Sequence, residues 1–189
     1  IKNFLKSEKY YLSAIKIDKK NYKAYFNCAN LYIDEKRYDE ALEFLQKSLF
    51  YNNNFVEIPH RIGEVYQYIF QQNRDTKFLE LSKKYFQDAI KCDKDYVNSY
   101  IMLGITYLWL SDTNRANKFF HKASDLNNNN SIFFDNYVKK YLSNSSLLTI
   151  LIKHEFEQLT YIDNDTDEIR NPKFTKQYYD DLKKLYLDI

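Results

Sequence analysis

Three histidines and two cysteines are the side chains from which chemistry could most readily be built in this 189-residue chain. His154-Glu155 opens an HExxH pattern, but residue 158 is Gln. Two imidazoles one helical turn apart are needed to hold zinc on one face, so the motif fails. His60 and His121 fall in different segments. His121 reads as a solvated position on an outer helix, and His60 as a candidate polar contact. No Ser or Cys sits beside a His in a nucleophile arrangement. Cys28 and Cys92 both lie within apolar helical patterns and read as buried, reduced thiols. With two glycines in the chain, both inside helical patterns, no phosphate cradle can be built. The acidic run Asp163-Asn164-Asp165-Thr166-Asp167-Glu168 lacks the central Gly and the closing Glu of a calcium loop, and reads as a solvated linker. These residues predict no catalysis, no metal and no cofactor.

Composition says what must position the remaining side chains. Gly and Pro number two each, too few for a β-sandwich or a loop-rich α/β enzyme, so the class is all-α. Nineteen Tyr and fourteen Phe supply rings that pack inside while a hydroxyl reaches the edge. The 28 basic and 26 acidic residues leave a net charge of +2, too weak a field to point to nucleic acid or an anionic membrane. The longest apolar run, residues 147–152, is far too short to span a bilayer.

A period is visible within this helical composition. Tyr100-x2-Leu103-Gly104-x2-Tyr107 is followed by Ala116-x3-Phe120 and Ala123. Tyr25, Cys28, Ala29 and Tyr32, then Ala41, Leu45 and Ser48, occupy the same places in residues 22–55, a span of 34. Ile62-Gly63-x2-Tyr66 and Ser82, Phe86 and Ala89 do so in residues 56–96, a unit seven residues longer. The extra residues must lie near 68–78, either lengthening the helices or making a longer connector. Residues 1–18 carry only the second half of the pattern, with Ser7, Tyr11 and Ala14.

This spacing resembles the tetratricopeptide repeat, in which small residues let two antiparallel helices touch and bulky ones fill the space around them. The resemblance implies a right-handed α-solenoid of antiparallel helix pairs. Its units are the second helix of a truncated repeat (residues 1–21), repeats at 22–55, 56–96 and 97–130, and a degenerate first helix at 131–141. Residues 142–189 lack the paired small residues. They read as C-terminal capping helices, including the strongly apolar 146–162, joined by the acidic loop. Because the chain opens inside the pattern, it reads as an excerpt of a longer protein.

In this family the first helix of each repeat lines a concave groove. Carried over by position, the wall comprises Lys23, Phe26, Asn27 and Asn30, then Arg61 and Glu64, then Ile101, Met102, Ile105 and Trp109. Asn27, Asn30 and Arg61 offer donors to a peptide backbone or a carboxylate. The last group is almost wholly apolar and must face something, either a partner or the chain's own residues 146–162. A carboxylate clamp of the chaperone-tail type does not fit, because Glu57 stands where that clamp needs Lys. The function so implied is a non-catalytic protein–protein interaction scaffold that binds a partner peptide or helix, within an intracellular, cytoplasmic or nuclear setting. Two further readings remain open. One is a substrate-recruiting or regulatory arm of a larger enzyme or complex; the other is self-association through the open N-terminal helix.

Overall fold

The computed structural model describes residues 2–126, with side chains from Phe4 onward. They lie in the first of two compact units, Ile1–Asn129; the second, Asn130–Ile189, lies outside the described residues. The expected degenerate helix at 131–141 and capping helices of 142–189 lie outside them too. Seven α-helices are described and, among the described residues, no strand. They are α1 (Lys2–Ile17), α2 (Tyr22–Asp34), α3 (Tyr38–Tyr51), α4 (Glu57–Asn73), α5 (Lys77–Cys92), α6 (Val97–Trp109) and α7 (Thr113–Leu126).

Each helix packs on its neighbours in sequence, and α4 also touches α6. The first helices α2, α4 and α6 therefore lie side by side, each backed by its second helix, α3, α5 or α7. Starts and stops follow from local chemistry. Asn21 caps α2 by accepting the Ala24 amide at 3.0 Å. Asp39 and Glu40 place negative charge at the start of α3, where the helix dipole favours it. Each three-residue turn within a hairpin contains one left-handed residue, Lys36, Arg74 or Ser111, that reverses the chain.

The small residues act as contact points between paired helices. A Cβ on Gly63 would stand 2.7 Å from the Phe86 ring, and one on Gly104 would stand 2.5 Å from the Phe120 ring. Only a glycine lets the ring lie flat against the facing backbone at that separation. Phe86, Leu45, Ala41, Ala89 and Ala116 are all fully buried in consequence. Burying a ring of Phe86's size contributes about 2–3 kcal/mol.

The long repeat keeps a short turn. Its helix α4 continues to Asn73, past Tyr68, the register equivalent of α2's last residue Asp34. Helix α5 begins at Lys77, ahead of Leu79, the equivalent of Tyr38. The seven extra residues thus lengthen both helices rather than the connector. Nothing between residues 68 and 73 breaks a helix, and the added turn puts buried Phe70 against Trp109, ring centroids 5.6 Å apart. One expectation is corrected here. Cys28 is buried, and burial together with Glu8 pushes its thiol up to about 11, whereas Cys92 at the end of α5 is exposed.

Candidate functional site: the first-helix face

Residues four and three apart on α2 place Lys23, Asn27 and Asn30 along one side of that helix. Lys23 and Asn27 are exposed and Asn30 is half-buried. Neither asparagine amide has a hydrogen-bond partner among the described residues. On α4 the same column continues with Glu57 and Arg61, both half-buried. Arg61 donates from Nη1 to Glu64 Oε2 at 2.7 Å, an i,i+3 pair whose carboxylate side is only 4 % exposed. Glu64 is thus the buried counter-charge that orients Arg61. It is not an open wall residue.

Beneath this column lies a buried polar row that joins α4 to α6. His60 Nδ1 is 3.0 Å from Ser99 Oγ. Gln67 donates to the Met102 carbonyl at 3.1 Å and to Thr106 Oγ1 at 2.8 Å, while the Thr106 hydroxyl donates to the same carbonyl at 2.8 Å. Burial, and secondarily the Arg61 charge, pushes His60 down to about 3, so its ring is neutral at ordinary pH. Glu64 Oε1, 3.7 Å from His60 Nε2, pulls in the opposite direction, but its charge is already engaged by the guanidinium. Tyr96 packs edge-on to His60 and is raised chiefly by burial.

The remaining expected wall residues are not part of this open strip. Phe26 turns into the core shared by α2, α3 and α4, edge-on to Phe55 at 5.6 Å. Ile101, Met102 and Ile105 are at most 1 % exposed and Trp109 is half-buried against Phe70, so these four form no open apolar wall. Residues 146–162, expected as one of their possible covers, lie outside the described residues. His60, expected as a groove contact, is buried, while His121 on α7 is exposed as expected. The sequence reading does not find the polar row. Its signal is the polar side chains at positions 60, 67, 99 and 106, where the preceding repeat carries apolar ones.

Among the described residues no cluster of His, Cys, Asp or Glu could hold a metal ion, and no helix is long and apolar enough to cross a membrane. The open part of the first-helix face includes a polar strip of Lys23, Asn27, Asn30, Glu57 and Arg61. The arrangement is that of a helical repeat, with α-hairpins stacked side by side.

Residues 3–57 match the tetratricopeptide repeat family. The fold is similar to that of MamA, with a TM-score of 0.61 at 14% identity over 95% of this chain and 82% of that one. A MamA from Desulfovibrio magneticus RS-1 is similar with a TM-score of 0.58 at 17% identity, covering 68% of each chain. The first tetratricopeptide domain of Spaghetti (RPAP3), solved bound to the HSP90 peptide SRMEEVD, has a TM-score of 0.54 at 15% identity over 75% of this chain and 95% of that one. No curated protein matches the chain in sequence. The sequence match is confined to residues 3–57, and the fold is similar to that of these tetratricopeptide repeat structures.

Proposed function

We propose that the chain is a non-catalytic scaffold that binds an extended segment of a partner protein across α2 and α4. The observation that carries this reading is the pair Asn27 and Asn30, unpartnered among the described residues, beside an Arg61 held in place by buried Glu64. Asparagine amides both donate and accept, which suits a peptide backbone, and the guanidinium's remaining N–H groups add donors for a backbone carbonyl. A preformed helical surface binds such a segment at little ordering cost to itself. A similar fold carries a peptide in Spaghetti (RPAP3). The acidic chaperone tail is not the expected ligand here, because Glu57 stands in the strip and Arg61 is already paired. We take residues 22–55, 56–96 and 97–130 as the units that build this surface.

The test is selection of peptides from a displayed library against the 189-residue chain, followed by affinity measurement on an Asn27→Ala/Asn30→Ala variant. Losing two hydrogen bonds of ordinary strength should weaken binding by about tenfold or more. Peptides that bind the variant as tightly as the parent would contradict the assignment.

A further inference from the structure

The first helices meet along two seams, and the two are built from different chemistry. The α4–α6 seam holds, beside the Phe70–Trp109 ring contact at its end, the buried hydrogen bonds of His60 with Ser99 and of Gln67 with Thr106 and the Met102 carbonyl. His60 and Gln67 are seven residues apart, as are Ser99 and Thr106, so each pair repeats after two helical turns along one edge. The register equivalents at the α2–α4 seam are Phe26 and Ile33 on α2, and Ile58 and Val65 on α4. Those four belong to a single apolar cluster.

We propose that the α4–α6 seam is a fixed joint and the α2–α4 seam a compliant one. On this account the hairpin carrying Asn27 and Asn30 rotates against the hairpin carrying Arg61 when a partner segment is bound. Only that last clause rests on the function proposed above. A hydrogen bond fixes distance and angle together, and a buried donor pulled off its acceptor has no water to turn to. Two such pairs two turns apart fix both the crossing angle and the axial register of α4 on α6. Apolar contacts are non-directional, so Phe26 and Ile33 can shift over Ile58 and Val65 without leaving a polar group unpaired. The open polar strip straddles that softer seam, with Asn27 and Asn30 on one side and Arg61 on the other.

The joints can be read by spin-label distances. Gln46, Gln87 and His121 are exposed and occupy equivalent places on α3, α5 and α7. In a Cys92→Ser background, with Cys28 buried, label pairs are introduced as Gln46→Cys with Gln87→Cys and as Gln87→Cys with His121→Cys. Double electron–electron resonance on the free protein should give a broader distance distribution for the 46/87 pair than for the 87/121 pair. Gln67→Leu/Thr106→Val should broaden the 87/121 distribution and leave 46/87 unchanged. Should that variant lose its cooperative melt, Ser99→Ala removes only a hydroxyl and gives the same reading at the other pair. Equal widths in the parent, or an 87/121 distribution unmoved by the seam substitutions, would overturn the proposal. Asn27→Ala/Asn30→Ala, which tests the binding strip, should alter neither width, so failure of the joint and failure of the strip are separable.

Discussion

Gly104 faces Phe120 so closely that a methyl group on its Cα would stand 2.5 Å from the ring. The ring is itself 6 % exposed and has no room to retreat. Gly104→Ala therefore sets two effects against each other. The helix gains about 1 kcal/mol from the better helix former. Overpacking a filled core costs about 1–3 kcal/mol. Overpacking should win here, and thermal unfolding should show a lower Tm, with Gly63→Ala behaving alike against Phe86. A variant with raised Tm would mean that the α6–α7 contact is looser than described.

That contact is legible in the sequence alone, because it follows from one rule applied at several places. Small residues recur opposite bulky ones at fixed spacing in the three described hairpins, Ala29 with Leu45, Gly63 with Phe86 and Gly104 with Phe120. The functional face is less legible. Positions 26, 60 and 101 carry Phe, His and Ile, and sequence cannot tell whether such a helix edge meets solvent or the next helix. In the structure, Phe26 and His60 meet the next first helix, and Ile101 is buried. Likewise Arg61 and Glu64 read as two separate wall residues until their i,i+3 spacing is seen as a buried ion pair. The lack of glycine and proline just after Tyr68 is the available sign that the seven extra residues extend helices.

Ser82 tests the same packing rule from the opposite direction. It is fully buried, and its hydroxyl finds no hydrogen-bond partner among the described residues. Its register equivalents are Ala41 and Ala116, both fully buried. Ser82→Ala removes an unsatisfied hydroxyl and adds helix propensity, and should stabilise the fold by about 1 kcal/mol. Denaturant titration would reveal this as a higher midpoint at unchanged slope.

The Arg61–Glu64 pair should be more damaging to break than to replace. Arg61→Gln takes the guanidinium from a carboxylate that is 4 % exposed. That loss should cost about 1–3 kcal/mol. Arg61→Glu, which sets a second carboxylate there, should cost more. A double Arg61→Met/Glu64→Met variant should recover part of the loss, since two apolar side chains leave no buried charge behind. Additive losses in this cycle would show that the two side chains are not coupled.

His60 gives the fold an acid sensitivity of definite sign. Its folded-state value, about 3, lies below the ordinary imidazole value near 6.5. The unfolded chain therefore binds an extra proton in that window, and stability falls as pH drops from about 6.5 toward 3. Facing groups are Glu64, Arg61, Tyr96 and Ser99. Measured between about pH 7 and pH 4.5, the parent should lose more stability than a His60→Gln variant, which has nothing to protonate at that place. Parallel pH profiles for the two proteins would contradict a buried, neutral His60.

The central claim is that a partner segment lies along α2 and α4, over Asn27, Asn30 and Arg61. Hydrogen–deuterium exchange of the chain with and without a library-selected peptide tests it most directly. The account predicts slowed exchange confined to Tyr22–Asp34 and Glu57–Asn73, with α3 and α5 unchanged. Protection on α3 or α5, with α2 and α4 exchanging as in the free chain, would contradict it.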